Sequence, residues 1–406
     1  MSRTILDVHI LQTVPPSNLN RDDTGSPKTA VYGGVRRSRV SSQAWKRATR
    51  QAFRELLDPQ ELGVRTRKVA EALAERMVAE DGTLKDQREN VLAFAAQAVF
   101  AATGSKIEAP KRKETAAKDA VRNGEEAPAP APESSYLLFL SARQIDSLAA
   151  LALEGLRSGD DAKEYFKAKP RKDRARALAN SAHSVDIALF GRMVADTADI
   201  NVDAAAQVAH AIGVHAVETE SDYFTAVDDR NAADESGAGM IGVVDFNSST
   251  LYRYAALDVD HLRDNLGSGL DDEKPGTTPV RRAVEAFLEG FITSLPTGKI
   301  NTFGNHTLPD AVVVKLRTSR PISFVGAFET PVVATGAGGH VEGACRALAS
   351  FVPGVEGAYG ADKDTSTWVV RVGPATDALS GLGLEVTLSQ LVEAVGAAVG
   401  DRMGGV

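Results

Sequence analysis

Stretches with strand character recur along this chain at wide intervals, separated by helices and long polar insertions. That order favours an α+β protein, a sheet domain with excursions. Ile5–Val14 opens the series, rich in β-branched residues and stopped by Pro15-Pro16. VDIALFGRM (Val185–Met193) reads as a buried strand, Leu251–Leu257 alternates, and Ala311–Leu316 and Ile322–Phe328 are late strands. Ser41 and Ser42 are good N-caps for a helix that reaches Leu57 before Pro59. Further helices are expected over 64–80, 84–102, 137–156, the alanine-rich 201–212 and 279–295. In the last of these, Val280, Val284, Phe287, Leu288, Phe291 and Leu295 form one apolar stripe. Residues 17–40 read as loop and 214–250 as an irregular hairpin with a glycine-rich tip. Gly104–Ser135 has almost no large apolar residue and reads as a disordered or extended insertion. No internal repeat is apparent.

The composition, 43% hydrophobic and 25% charged over 406 residues, is that of a soluble globular protein with ample length for a core. No run of about 18 apolar residues is present, so no membrane span is expected. Asp7 and Gln12 interrupt the apolar stretch that a signal peptide would need. Cys345 is the single cysteine, which excludes a disulfide framework and a multi-cysteine metal site and fits a reducing cytoplasm.

Charge is distributed unevenly. Residues 1–50 carry nine Lys/Arg against three Asp, a net of +6, within a chain whose total is −8. A basic patch on an acidic body points to a polyanionic partner held at one place. The patch centres on GGVRRSRVSSQAWKR (Gly33–Arg47). On the helix that follows Ser41, helical spacing sets Ala44, Trp45, Ala48, Ala52 and Leu56 on one side and Gln43, Lys46, Arg47, Arg50 and Arg54 on the other. The basic side begins at a helix N-terminus, where free N–H groups already favour an anion. Arg36, Arg37 and Arg39 lie just upstream, beside glycines that would let backbone approach a phosphate. A solvated helix face is the plain alternative for the helix alone. A second basic run, Lys163–Arg176, has seven Lys/Arg against Glu164 and Asp173.

Other motifs carry less. Gly237-Ala-Gly239-Met-Ile-Gly242 matches a dinucleotide fingerprint but lacks the preceding strand and following helix, so a hairpin tip is expected. No phosphate-binding P-loop motif occurs. His210 and His215 are five apart, not at helical metal spacing, and read as structural. Asp22-Asp23 and Asp228-Asp229 could hold a metal for phosphodiester cleavage, or cap turns and pair with arginines. No catalytic residue, metal ligand or cofactor is assigned from spacing.

LNRDD (Leu19–Asp23) followed by GGVRRSRVSSQAWKRATR, then VDIALFGRM, HAIGVHAVETESDYFTAVDD (His210–Asp229) and YRYAALDVDHLRDNLG (Tyr252–Gly267), resembles the CasC family, the backbone subunit of type I-E CRISPR Cascade. The likeness is anchored over about residues 5–270 and fades toward the C-terminus. It does not extend to 104–135, and Tyr223 stands where an aromatic residue, often Trp, is expected. The resemblance implies an RRM-like palm of the RAMP superfamily, a helical fingers insertion and a β-hairpin thumb. The implied divisions are palm over 1–57, fingers over 58–180, palm over 181–211, thumb over 212–248, and the remaining palm and C-terminal elements over 249–406. It also implies a non-catalytic protein that polymerises head to tail on crRNA. Implied partners are target DNA through the crRNA, other copies of the chain, and the large, small, 5′-handle-capping and 3′-hairpin-processing subunits, with no membrane.

On this resemblance the RNA contacts are expected at Asn20, Arg21, Lys28, Arg36, Arg37, Arg39, Ser41, Ser42, Gln43, Lys46, Arg47, Arg50, Arg192 and Met193, with Lys299 and Asn301 in PTGKINTFGN as weaker candidates. Lys167, Lys169, Arg171 and Lys172 are expected to touch DNA. Met193 is read as a wedge on an unstacked base, against the alternative of core packing, and the hairpin as the strap over it. A guide holder that accepts any spacer must read phosphate and ribose rather than base edges. Two other readings stay open: a metal-dependent RAMP ribonuclease using Asp22, Asp23 or Asp228, and a general single-strand RNA chaperone.

Overall fold

The computed structural model describes residues 3–110, 131–194, 197–227, 238–267, 279–334, 339–360 and 365–404. The chain divides into a sheet unit (Met1–Leu56, Ala206–Asp260, Arg281–Val406) and a helical unit (Leu57–Ala205, His261–Val280).

Strand β1 (Ile5–Ser17) is the axis of the sheet unit and is buried along nearly its whole length. Both its edges are paired because it lies between two long partners. Ile5 pairs with Asp258 of the strand Ala238–Asp258 on one side and with Arg317 of Ala311–Arg317 on the other, both antiparallel. Among the described residues the sheet has ten strands. Eight of them run in the order Leu384–Glu385, Ser366–Arg371, Ala311–Arg317, β1, Ala238–Asp258, Ala211–Gly213, β3 (Val35–Val40), β2 (Thr29–Tyr32), and the other two, Ala206–Val208 and Glu220–Val227, also pair with Ala238–Asp258. A core of Leu11, Tyr252, Val313, Phe324, Phe328 and Leu348 packs below it against the helix Gly339–Tyr359.

Two polar groups sit at the centre of β1. The Asp7 carboxylate accepts from the Tyr254 hydroxyl (2.8 Å), Arg317 Nε (2.8 Å) and the Ile322 amide (3.1 Å). Burial pushes the Asp7 carboxyl up, and these three donors oppose the shift. His9 is wholly buried, with Nδ1 2.9 Å from the Tyr252 hydroxyl, and burial drives its pKa well below the ordinary imidazole value.

Several segments differ from the sequence reading. Residues 29–40 form a hairpin rather than loop: Gly33 and Gly34, both at positive φ, make its two-residue turn. A side chain at Gly33 would collide with the Glu329 carbonyl, so the bare glycine serves a contact inside the fold. The alanine-rich stretch 201–212 holds two short strands, Ala206–Val208 and Ala211–Gly213, where pairing with Ala238–Asp258 overrides helix propensity. Residues 322–328 contain only a 3-10 turn, Val325–Phe328, which seats Phe324 and Phe328 in the core.

The helical unit packs Val69–Glu80, Arg88–Thr103, Ala142–Ser158 and Lys169–Ala179 around Leu73, Phe94, Ala98, Leu148 and Tyr165. It runs past residue 180 to Ala205. Leu138–Ser141 is a strand before the helix from Ala142, and its partner is Gly63–Thr66. VDIALF (Val185–Phe190) is a helix, not a strand. All but Phe190 are buried, Asp186 included, and a short run without an exposed face has no period to distinguish the two. Ile107–Glu108 pairs with Glu133–Ser134, so the ends of the apolar-poor segment are ordered. Residues 111–130 lie outside the described residues.

Candidate nucleic-acid interface

Helix α1 (Ser42–Leu56) follows β3 directly. Ser41 caps it, its hydroxyl accepting from the Ala44 amide at 3.4 Å. The buried side is Trp45, Ala48, Thr49 and Phe53, so Ala44, Ala52 and Leu56 are only partly covered. Trp45 lies under the guanidinium of Arg253, 3.7 Å from ring centroid to Cζ. Arg253 is wholly buried, donates to Gln12 Oε1 (2.7 Å), and burial lowers its pKa to about 9. This cation–π seat fixes the rotation of α1. Gln43, Arg47 and Arg54 then face outward, while Ser42, Lys46 and Arg50 flank them half-buried. Burial lowers the Lys46 ammonium below its ordinary pKa.

The loop between β1 and β2 is built onto the same edge. Asn20 Oδ1 accepts from the Ser41 amide (2.9 Å), and its carbonyl accepts from the Lys28 amide (2.9 Å). Lys28 O in turn accepts from the Arg39 amide (2.9 Å). Asn18 Nδ2 donates to the carbonyls of Gly25 (3.0 Å) and Asp245 (2.8 Å), and the Ser26 hydroxyl donates to the Asp245 carboxylate. Asp245 therefore braces the loop against the hairpin strand, a role the sequence reading did not assign.

Gly298 abuts the same loop so closely that a Cβ there would lie 2.2 Å from the Leu19 carbonyl oxygen. That contact carries Lys299, a non-glycine residue at φ +50°, to the loop. Arg21 and Lys299 line one open cleft of about 370 Å³ with Thr24, Gly25, Val243, Val244 and Asp245. Asn301 is exposed on the short helix Ile300–Phe303. Asn20, Lys28 and Arg39 line a neighbouring small cavity with Ser38 and Asn247. Two loops far apart in sequence thus add to the basic run that begins at Arg36.

Arg36 and Arg37 separate on β3. Arg36 is exposed. Arg37 is buried: Nε donates to the Tyr32 carbonyl (3.1 Å), Nη1 to Gly213 (3.1 Å) and Nη2 to Phe328 (3.0 Å) and Glu329 (3.2 Å). Its guanidinium clamps three segments of the sheet unit and is not available to a phosphate, correcting the expectation. Arg39 Nε donates to Thr29 O (3.2 Å), and Nη1 lies 3.1 Å from His210 Nδ1.

In the helical unit Arg192 is corrected in the same way. Its guanidinium is buried and donates to the carbonyls of Ile200 (2.7 Å) and Ala179 (2.9 Å) and to Gln144 Oε1 (3.1 Å), and burial lowers its pKa to about 10. Met193, its neighbour, is 85% exposed, which removes the core alternative. Lys167 pairs with Glu164 (3.3 Å) and Arg174 with Glu154 (2.8 Å). Arg171 folds back over the Tyr165 ring (3.7 Å), donates to the Tyr165 carbonyl (3.2 Å) and lies 3.5 Å from Asp160. Its guanidinium is spent inside the unit. Lys169 is exposed, and Lys172 lines a cleft of about 560 Å³ with Lys106, Lys163 and Lys167 over Phe100 and Phe166.

The hairpin pairs Glu220–Val227 with the first part of Ala238–Asp258, Tyr223 opposite Val243 and Thr225 opposite Ile241. Tyr223, Ile241 and Val243 share one face and are 60%, 61% and 62% exposed. Phe224 lies across Gly242, where a Cβ would be 2.4 Å from its ring. Asp22 accepts from the Thr24 amide (2.9 Å), the Thr24 hydroxyl (2.7 Å) and the Ser26 amide (3.1 Å), the pattern of a turn residue. Asp228 lies outside the described residues. Among the described residues no helix is long and apolar enough to cross a membrane.

A profile of the family described as CT1975-like protein matches residues 6–394. Two solved structures are similar over nearly the whole length. A chain of a CRISPR RNA-guided surveillance complex, pre-nicking, is 36% identical with a TM-score of 0.78, covering 97% of this chain and 100% of that one. A chain of a CRISPR RNA-guided surveillance complex is 32% identical with a TM-score of 0.69, covering 97% and 99%. Comparison with curated proteins returns no match.

Proposed function

This chain belongs to the CT1975-like protein family, and we propose that it is the RNA-binding backbone subunit of a type I-E Cascade surveillance complex, in the role of CasC. In this reading the sheet unit is an RRM-like palm of the RAMP superfamily, the helical unit the fingers and the exposed hairpin the thumb. The protein acts in the cytoplasm, polymerises head to tail on crRNA, and holds it for pairing with target DNA alongside the other Cascade subunits. A repeated head-to-tail contact gives an open helical array.

The observation that carries the reading is a gathering of unneutralised charge in the sheet unit. Among the described residues Arg21, Lys28, Arg36, Arg39 and Arg47 have no carboxylate within ion-pair distance. Unneutralised cations gathered from a loop, a strand and a helix on an acidic protein suit a phosphate backbone. Asn20, Ser41, Ser42 and Gln43 supply polar contacts beside them, and Lys46, Arg50, Lys299 and Asn301 extend the strip. Lys167, Lys169 and Lys172 remain the DNA-facing set, without Arg171.

The subunit is not itself a nuclease in this reading, and the turn role of Asp22 favours it over the ribonuclease alternative. The test is co-expression with a CRISPR array. Protected RNA of one discrete length should copurify, and charge reversal at Arg36 and Arg47 should remove it whatever the guide. Protein that purifies free of RNA, or with RNA of every length, overturns the proposal. Metal-dependent cleavage of RNA by the pure protein, lost in Asp22→Asn, would establish the ribonuclease instead.

A further inference from the structure

We infer that His210 is a proton-linked phosphate-binding residue of the guide strip, donating from Nε2 to a backbone phosphate that Arg39 and Lys28 also face. The inference rests on the RNA-binding reading and adds to it a residue whose spacing alone marked it as structural.

The geometry fixes the tautomer. Arg39 Nη1 lies 3.1 Å from His210 Nδ1. A guanidinium only donates, so Nδ1 must accept, and the proton of the neutral ring sits on Nε2. The ring is exposed, so that donor is open to solvent. His210 directly precedes the strand Ala211–Gly213, which pairs with β3 through Arg39 and Ile212. The backbone thus holds His210 and Arg39 side by side, and Arg39 is tied in turn to Lys28 through the Lys28 carbonyl.

The charged groups facing His210 are Arg39 from β3 and Lys28 from the loop before β2. Partial burial and then these two cations lower the His210 pKa, so the free protein carries it neutral. A phosphate placed among the three groups reverses the balance. It offsets the two cations, favours the imidazolium, and takes up a proton as it binds. Once protonated, His210 no longer accepts from Arg39, and the guanidinium is freed to turn toward the same phosphate.

The sign follows by linkage. A pKa raised on binding tightens binding as pH falls through the bound-state value, and a rise of one unit corresponds to about tenfold. The experiment measures binding of an oligouridine, whose bases do not titrate in this range, to the full chain between about pH 8 and pH 5.5 at constant salt. Wild-type affinity should rise by several-fold to about tenfold toward acid. His210→Gln, which keeps an acceptor for Arg39 and a donor, should bind more weakly and show a flat profile. A wild-type profile that is flat, or a His210→Gln profile that keeps the wild-type slope, overturns the inference while leaving RNA binding intact. Failure of the wild type to bind oligouridine at any pH overturns both the inference and the reading beneath it.

Discussion

Neighbouring arginines in this chain do opposite work, and substitution separates them. Arg37 supplies bonds to four carbonyls from the interior, whereas Arg36 beside it is exposed. Arg37→Ala strands buried acceptors and should destabilise the sheet unit by about 3 kcal/mol. Arg36→Ala should stay within about 0.5 kcal/mol of wild type in chemical denaturation. The RNA assay should invert the order. Arg36→Ala, and separately Arg47→Ala, should each reduce the salt slope of single-strand binding by about 0.7, equally across guide sequences. An Arg36→Ala variant with unchanged slope would remove that residue from the strip. Sequence patterning could not divide the pair, because residues 17–40 read as loop, which has no buried face to assign, and β3 is held in the sheet by a partner distant in sequence.

The exposed hairpin is the element for which assembly makes the sharpest demand. Tyr223, Ile241 and Val243 form an apolar face with no cover among the described residues. The double substitution Ile241→Asp, Val243→Asp should leave melting of the isolated protein within a few degrees of wild type and abolish regular arrays on RNA, read by sedimentation and negative-stain imaging. Arrays that persist at full length would show that this face is not a docking surface. The hairpin, α1 with its Ser41 cap, the helix Pro279–Thr293 and β1 could all be read from pattern, since each has a period or a punctuation mark of its own. VDIALF and 201–212 could not. The first is buried nearly all round, Asp186 included, and the second is alanine-rich yet strand-paired, so the choice is made by partners distant in sequence. The basic strip was half visible for the same reason. Its contiguous part stood out in the sequence, while the approach of Lys299 through Gly298 and the His210–Arg39 pair exist only after the sheet has closed.

Taken as one molecule, the protein buries several imidazoles in neutral form. Burial lowers the pKa of His9 far below its ordinary value, that of His183 to about 4, and that of His215, where the His340 ring and Arg37 add to the effect. His215 accepts from the Thr250 amide through Nε2 at 3.1 Å and donates through Nδ1 to the Ala216 carbonyl at 2.8 Å, so it has no room for a second proton. Each such group binds a proton in the unfolded chain at a higher pH than in the folded one. The stability it contributes is therefore complete above the unfolded value of about 6.5 and is lost as pH falls toward the folded value. Thermal melting should fall steadily from about pH 7 to pH 4, and His183→Gln should flatten part of that fall. A melting temperature independent of pH over that interval would contradict the buried neutral state. The order of the sheet also has a consequence for how the chain is made. β1 is made before the other strands of the sheet, yet both strands that flank it are synthesised only after most of the helical unit, as far as Asp258 and Arg317. The helices from Val69 to Ala179 have their partners close at hand and can collapse while translation continues. Through that interval a strand that is almost wholly buried in the finished sheet waits without those partners, so yield in the cell should depend on chaperone capacity and on elongation speed through the middle of the message more than on the stability of the finished fold.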